Sequence, residues 1–236
     1  MIKDAIKYVV DLGKVQLHEI KGQTYSSQSL SHIRQPQADA ISVNTLSGLT
    51  EYILSQFDEI AHAGKLVRVV SFDKVELVSN ILSDRGRETY MIAQAMKPRF
   101  DFGTWHDVES FVIAMQSCFV RNADLEIVLK VAGTVQDEAV TQYGDDGVSQ
   151  QVTAKAGIAT YGKVRVPNPV TLAPFRTFIE LEQPESKFVF RMKQGNRGPE
   201  CALFEADGGA WKLDAMDKIK KYLEGYLKDT SIKVIS

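Results

Sequence analysis

Apolar residues recur every three or four positions in five segments of the chain, which is the spacing of one buried helix face. The first segment ends before Gly13, a residue that suits the position after a helix C-terminus. The second follows Asn44, a good N-cap residue, and is expected to end near Gly64. The five predicted helices cover residues 5–10, 46–57, 108–119, 122–133 and 213–226.

Cap residues support the three later helices. Thr104 and Asp107 occupy the positions of a capping box in front of the third segment. Asn122 opens the fourth helix, and Gly133 is expected to end it. In the last helix the spacing predicts one inward face, formed by Leu213, Met216, Ile219, Leu223 and Tyr226.

β-branched and aromatic runs alternate with polar breaks in the rest of the chain. Residues 66–92 predict an antiparallel meander, because the connections between their runs are short. Residues 142–194 also favour strands, with a hairpin in which 175–182 pairs with 187–194 across Gln183–Ser186. Short strands or loop are expected at residues 14–43, and a short strand at the end of the chain.

The combined pattern predicts an α+β fold, in which helices pack on one face of antiparallel sheets. A chain of 236 residues is long enough for one domain or for two small ones. One domain over residues 1–236 is the first interpretation. Two intertwined lobes, divided near residues 133–147 where the composition changes, are the second.

Charge and hydropathy narrow the class of protein. The net charge is only −2, so any contact with nucleic acid has to come from a local basic patch. The N-terminus lacks a signal-peptide pattern, and no apolar run approaches the length that crosses a bilayer. A cytoplasmic protein with no membrane partner is therefore expected.

Motifs for metal, nucleotide and hydrolase chemistry do not emerge from the sequence. The four histidines stand far apart, and neither a phosphate-binding glycine loop nor a nucleophile elbow occurs. Cys118 and Cys201 are interpreted as small core residues. No metal, cofactor or catalytic residue is predicted, although a catalytic triad whose members meet only in space stays open.

Two acidic pairs, Asp137–Glu138 and Asp145–Asp146, leave two interpretations open. They suit a solvated turn stabilised by Asx hydrogen bonds, or acid/base and two-metal chemistry. The turn is the preferred interpretation because no third ligand follows at a fixed spacing.

Basic side chains outnumber acidic ones between residues 160 and 200. Alternation along a strand at 187–194 predicts basic residues on one face and Phe188, Phe190 and Met192 on the other. Such a basic strip suits phosphate contacts, or it is an ordinary solvated face whose cations pair with neighbouring glutamates. The strip comprises Lys163, Arg165, Arg176, Lys187, Arg191, Lys193 and Arg197.

Several stretches of the middle of the chain are specific enough to compare with a known family. They are residues 102–105 (Phe-Gly-Thr-Trp), 111–116, 145–153, 166–170, 174–178 and 183–186 (Gln-Pro-Glu-Ser). Between about residues 40 and 194 the chain resembles the YfdQ-like family of phage and prophage proteins. The resemblance implies a tailed-phage or prophage origin and expression inside a bacterial host, and it brings no catalytic residues.

Three functions follow as hypotheses. The first is a non-enzymatic phage accessory protein that works as a homo-oligomer. The second is a nucleic-acid-associated protein of phage replication or recombination that uses the basic strip. The third is a binder of a host nucleotide signal.

Overall fold

The computed structural model describes residues 2–20, 23–27, 29, 37–59, 64–83, 85–135, 139–145, 150–156, 159–166 and 168–236. Within these ranges the helices are α1 (Ile2–Leu12), α2 (Leu46–Ser55), α3 (Val108–Cys118), α4 (Ala123–Val135) and α5 (Trp211–Leu227). The strands of the first half are β1 (Leu17–Ile20), β2 (Gln23–Ser26), β3 (Ile41–Val43), β4 (Lys65–Ser71), β5 (Lys74–Ser79), β6 (Thr89–Gln94) and β7 (His106–Asp107). Those of the second half are β8 (Ala139–Asp145), β9 (Gln150–Ala156), β10 (Ala159–Val166), β11 (Val170–Leu172), β12 (Ser186–Gly195), β13 (Gly198–Glu205) and β14 (Lys233–Ile235).

Helices and mainly antiparallel sheets make this an α+β protein, as the sequence predicts. The chain separates into two compact units, Met1–Ala38 and Asp39–Ser236. The boundary between these units lies at Ala38, whereas the composition change had pointed to residues 133–147. The first unit holds helix α1 and the antiparallel hairpin β1–β2.

A five-stranded sheet with the order β14–β4–β5–β6–β3 forms one half of the second unit. Its centre is the predicted meander, β4–β5–β6. Both edge strands are added in parallel, which the sequence did not predict. Helices α2 and α5 contribute buried residues to its core, including Leu46, Leu49, Ile219 and Leu223.

A four-stranded antiparallel sheet with the order β11–β12–β13–β7 forms the other half. Its core is rich in phenylalanine, because Phe188 and Phe190 of β12 point inward and meet Phe111 and Phe119. Helices α3 and α4 pack on this face and not on the meander β4–β5–β6. The remaining strands form a sheet with the order β10–β9–β8, and β8 runs beside β12 and β13.

The predicted hairpin between residues 175–182 and 187–194 does not form. Strand β12 instead pairs with β11 on one side and β13 on the other, and residues 173–185 form an irregular loop. Pro174 and Pro184 have no backbone N–H to give to a ladder. In addition, the side chain of Gln183 takes up backbone groups that a strand would need.

Helix ends also differ from the predictions. Thr45, not Asn44, caps α2, because its Oγ1 accepts from the backbone N–H of Gly48 at 3.1 Å. The same helix ends at Ser55, before Gln56 turns into the left-handed region, and so stops well short of Gly64.

Asp107 caps α3 through a hydrogen bond from Ser110 N at 2.9 Å, so Thr104 is not part of a cap. Asn122 caps α4 as predicted, but the helix continues past Gly133 to Val135.

The inward face of α5 differs from the predicted one at its first and last positions. Leu213 is 74% exposed and Tyr226 is 55% exposed, whereas Ile219 and Leu223 are buried as expected. The buried stripe begins two residues earlier than predicted, at Trp211 instead of Leu213. It continues through Ala215, Ile219, Leu223 and Leu227. None of the described helices combines the length and hydropathy that crossing a bilayer requires.

Candidate functional site

Within the part of the chain that the structure describes, the predicted basic strip is realised only along β12. The predicted alternation is present there, since Phe188, Phe190 and Met192 are buried while Lys187 and Arg191 lie on the opposite face. That outer face is not freely solvated, because Ala202, the ladder partner of Arg191, is fully buried on it.

Another basic residue of this face is already occupied. The Nζ atom of Lys193 lies 3.2 Å from a carboxylate oxygen of Glu200 and 4.3 Å from the ring centroid of Trp105. This arrangement matches the interpretation of the strip as an ordinary sheet face whose cations pair with glutamates.

The other members of the strip lie elsewhere. Arg197 is exposed in the turn between β12 and β13, and Arg176 is buried away from that face. Lys163 and Arg165 belong to β10, in another sheet, and their side chains lie outside the described residues. The structure therefore does not bring the seven residues together on one sheet face within its described part.

A groove of about 410 Å³ lies between the five-stranded and four-stranded sheets. This volume falls in the range of sites that bind small molecules. Aromatic and basic side chains dominate its lining. The lining residues are Phe72, Lys97, Pro98, Arg99, Phe100, Phe102, Cys118, Pro174, Phe175, Arg176, Glu205, Trp211 and Lys212, and they define what is called the groove below.

The loop that carries Arg176 is organised by the buried amide of Gln183. Its Oε1 accepts from the backbone N–H groups of Arg176 and Thr177 at 2.9 and 3.2 Å. Its Nε2 donates to the carbonyls of Phe178 and Leu181 at 3.0 and 3.1 Å. One side chain thus satisfies four backbone groups that have no strand partner, and it fixes the backbone at Arg176.

Two further contacts fix this loop, one to the β4–β5 turn and one to the end of α3. The Oγ1 atom of Thr177 donates to the carbonyl of Phe72, in the β4–β5 turn, at 2.5 Å. The backbone N–H of Phe175 donates to the carbonyl of Cys118, at the end of α3, at 2.8 Å. The groove walls are therefore held together by hydrogen bonds between distant parts of the sequence.

The turn before α5 places Trp211 at the groove. The carboxylate of Asp207 accepts from the backbone N–H groups of Gly209 and Trp211. Gly208 and Gly209 both have positive φ values, 64° and 83°, which suit glycine best. Trp211 consequently begins the helix with its ring directed into the core, where it is only 7% exposed.

Arg176 is the buried charge at the centre of this arrangement. Its Nη2 donates to Ser186 Oγ at 2.5 Å and to the carbonyl of Pro184 at 3.3 Å, and its Nη1 lies 3.1 Å from Glu205 Oε1. The guanidinium carbon lies 3.8 Å from the ring centroid of Trp211, a cation–π stack. Burial lowers the pKa of Arg176 to about 10, against the opposing charges of Glu205 and Asp207, so the guanidinium stays protonated at neutral pH.

Two donors in the groove lining have no partner within the described part of the chain. They are Arg176 Nε and Trp211 Nε1, and both belong to side chains that are more than nine-tenths buried. A buried N–H without an acceptor costs about 1–3 kcal/mol. Both groups are donors only, so the ligand group that suits them is an oxygen or nitrogen acceptor.

The aromatic lining is partly exposed and comes from turns and loops and from the start of α5. Phe72 meets Trp211 edge to face, with ring centroids 4.7 Å apart. Phe100 and Phe102 lie 4.9 Å apart, and Phe102 stacks on Phe188 of the sheet core at 5.3 Å. These half-buried rings line the groove, and Lys97 already covers one face of Phe72.

Three cations surround the opening. Lys97 pairs with Asp73 and lies 4.4 Å above the Phe72 ring, and Arg99 pairs with Asp101 in an exposed position. Lys212 is exposed at the start of α5 and has no ion pair within the described residues. The lining has four basic groups, of which Lys97, Arg99 and Arg176 pair with Asp73, Asp101 and Glu205, so Lys212 is the cation that is left to favour an anion.

The structure adds no support for a metal site or for chemistry at the acidic pairs within the described residues. No group of three histidine, cysteine or acidic side chains in the described residues comes close enough to hold a metal ion. The acidic residues at 137, 138 and 146 lie outside the described residues, as does the side chain of Asp145. Both cysteines are buried and free, as the sequence predicted, and Cys118 also lines the groove.

Comparisons with protein-family models, with curated proteins and with solved structures found no match to the chain. The site is therefore assigned from its own geometry. Sequence reasoning identified Arg176 but placed it on the wrong surface, and it missed Trp211, Lys97 and Lys212. The only local signal was Gly208-Gly209 before a tryptophan, which marks a tight turn but no ligand.

Proposed function

We propose that the groove binds a nucleotide, either free or as part of a single strand, and that the protein acts by binding rather than by catalysis. The observation that carries this proposal is the joint presence of half-exposed aromatic rings and four basic side chains in one groove of about 410 Å³. The nucleic-acid and nucleotide hypotheses from the sequence name the same class of ligand. The proposed binding site is now the groove, not the outer face of β12.

Each part of a nucleotide has a counterpart in the lining. A base has two flat faces, and stacking on aromatic rings contributes about 1–3 kcal/mol per base. A phosphate carries the negative charge that Lys97, Arg99 and Lys212 favour at the opening. Arg176 Nε and Trp211 Nε1 lack an acceptor within the described residues, and a carbonyl or phosphate oxygen is the group that would supply one if a ligand opened the lining.

The setting for this activity stays a prediction. The resemblance to phage proteins supports an accessory role inside a bacterial host, in which the bound species is a host nucleotide or an exposed strand. Self-association is part of the same prediction.

The test is titration calorimetry of the full chain with single nucleotides and with a short single-stranded oligonucleotide, at low and at high salt. We expect binding that weakens as salt rises, because phosphate contacts release counterions. Tighter binding of the oligonucleotide would indicate a strand, and equal binding would indicate a free nucleotide. Absence of heat and of thermal stabilisation with every probe would overturn the proposal.

Lys212→Glu provides the matched variant. It reverses a charge at the groove, and it should not unfold the protein because an acidic residue is favourable in the first turn of a helix. We expect about tenfold weaker binding, or ~1.4 kcal/mol. Lys221→Glu on the same helix is the control, since Lys221 is exposed and pairs only with Asp217 among the contacts described. Equal losses in both variants would show that the groove is not the site.

A further inference from the structure

Glu205 is the one acidic residue among those that define the groove. It lies at the end of β13, where its ladder partner on β12 is Phe188. Ladder partners of an antiparallel pair project from the same face of the sheet, so Glu205 shares the inner face with Phe188. The ring of Phe188 stacks on Phe102, which lines the groove, with centroids 5.3 Å apart. The carboxylate of Glu205 therefore adjoins an aromatic wall of the groove.

This carboxylate is held in place from both ends. At its tip, Glu205 Oε1 accepts from Arg176 Nη1 at 3.1 Å, and Arg176 is itself held by Ser186 Oγ at 2.5 Å. At its base, the backbone N–H of Ala206 donates to the carbonyl of Lys187 at 2.9 Å, which continues the pairing of the two strands. A group fixed in this way keeps its direction when a ligand binds, and such a group can discriminate between ligands.

The second oxygen of Glu205 is available to a ligand. Its Oε2 atom has no hydrogen bond or ion pair within the described residues, and the side chain is 40% exposed. An ionised carboxylate only accepts hydrogen bonds. It also repels phosphate, which carries the same sign of charge. The part of a nucleotide that suits Glu205 is therefore an edge of the base that carries hydrogen-bond donors.

The bases differ in the donors that they present at their Watson–Crick edges. Guanine presents N1–H and the N2 amino group side by side, and one carboxylate can accept from both. Adenine and cytosine each present one amino group beside a ring nitrogen that is an acceptor. Uracil presents one N–H between two carbonyl oxygens, which a carboxylate repels. A fixed carboxylate thus favours guanine.

We propose that the groove is selective for guanine, and that Glu205 accepts hydrogen bonds from the N1–H and the N2 amino group of the base. This inference rests on the proposed nucleotide binding and adds the identity of the base to it. Lys212, the cation without an acidic partner in the described residues, suits the phosphate, so the two charges serve different parts of one ligand. Discrimination should be strong, because a wrong base leaves polar groups of the site without partners.

The test of selectivity is titration calorimetry of the full chain with the 5′-monophosphates of guanosine, inosine, adenosine, cytidine and uridine. The guanosine compound should bind more tightly than the uridine compound by at least about tenfold. The inosine compound lacks the N2 amino group and should lie between them. Equal affinities, or tightest binding of another base, would overturn the inference. The proposed function would survive that result if Lys212→Glu weakened binding of all five, whereas absence of binding by every compound would overturn both.

Glu205→Gln tests the residue. Glutamine still accepts from Arg176 through its carbonyl oxygen, but its amide group donates and cannot accept from guanine. The affinity ratio of the guanosine to the uridine compound should fall to about twofold or less, and the uridine compound should not bind more weakly. A structural role alone would weaken every nucleotide by the same factor, and that result, or an unchanged ratio, would overturn the inference.

The matched control is Glu200→Gln on the same strand. Glu200 pairs with Lys193 and, five residues from Glu205, projects from the opposite face of β13. This variant should leave the affinity ratio unchanged, and urea denaturation should show that both variants are folded. An equal fall of the ratio in Glu200→Gln would overturn the role of Glu205.

Short thymidine oligonucleotides, with and without one central guanine, extend the test to a strand. Tighter binding of the guanine-containing strand would support the same selectivity in single-stranded nucleic acid. Selectivity among the mononucleotides that the oligonucleotides do not share would support a free guanine nucleotide as the ligand.

Discussion

The outer face of β12 and the groove contain similar numbers of basic groups, yet they differ in what surrounds each charge. On β12 the cations follow one another along a strand; Lys193 pairs with Glu200, whereas Arg191 has a buried Nη1 without a partner in the described residues. In the groove the cations come from three segments far apart in sequence; three of the four also pair with acids, but together they surround aromatic rings and two unpaired buried donors. A basic pattern in sequence therefore predicts exposure, whereas a binding site depends on convergence in space.

The largest expected difference between the two regions is in stability, when one arginine of each region is replaced by methionine. Arg176→Met keeps an unbranched side chain against Trp211 but removes the donors to Ser186 Oγ and Glu205. We expect it to lower the free energy of unfolding by about 2–4 kcal/mol, because buried acceptors lose their partners. The measurement is urea denaturation, in which the midpoint should fall while the dependence of the free energy of unfolding on urea concentration stays unchanged.

The control for this substitution is Arg191→Met on β12. Arg191 is half-buried on the outer face and has no ion pair in the described residues; because its buried Nη1 lacks a partner there, its loss should change the free energy of unfolding by no more than about 1 kcal/mol. Similar losses in the two variants would mean that Arg176 contributes no more to the structure than a residue of the sheet face.

A smaller effect is expected for Gln183→Leu. The substitution keeps much of the side-chain volume but removes the partner of the N–H groups of Arg176 and Thr177 and of the Leu181 carbonyl, whereas the Phe178 carbonyl keeps a bond from Leu181 N. We expect a loss of about 2 kcal/mol in stability and weaker nucleotide binding, because the loop no longer positions Arg176. Gln194→Leu, at the exposed end of β12, should change neither quantity in denaturation and calorimetry. Normal affinity in Gln183→Leu would contradict the positioning role.

Much of the fold was predictable because its signals are local. The fold class, the meander β4–β5–β6 and all five helices follow from hydrophobic period and cap residues. The hairpin prediction at residues 175–194 was wrong because the polar connection at Gln183–Ser186 resembles a turn between strands. Its glutamine actually organises a loop, and β12 pairs with a later strand, β13.

The groove was not predictable because no local signal marks it. Phe72 follows a strand, Arg176 lies in an irregular loop, and Trp211 begins a helix more than 100 residues after Phe72. Each residue by itself matches an ordinary structural role. Only the hydrogen bonds that join these segments, such as Thr177 to Phe72, bring them together.

Each region contains one of the two tryptophans, so fluorescence can tell which region the ligand approaches. The expected effect on affinity is smaller than that of the preceding substitution. Trp211 lies in the groove, and Trp105 lies beside Lys193 and Phe204. Nucleotide should quench the emission of Trp105→Phe, which retains Trp211, but not that of Trp211→Phe. The second variant also loses the indole N–H, so its affinity should fall about threefold to tenfold. Quenching in Trp211→Phe alone would place the ligand near β12 instead.

The smallest expected effect concerns the two thiols, which also divide between the regions. Cys118 lines the groove and is 6% exposed, whereas Cys201 is fully buried in the four-stranded sheet. Burial, with the charge of Asp107, raises the pKa of Cys201 to about 12, so this thiol stays protonated in the folded protein at pH 9.

Bound nucleotide should slow alkylation of Cys118 a few-fold at that pH, as measured by mass spectrometry, and Cys201 should stay unmodified with and without ligand. Denaturant should make both thiols react, which checks the reagent. Protection of neither thiol while calorimetry reports binding would place the ligand outside the groove, because a molecule that fills the groove has to cover the approach to Cys118.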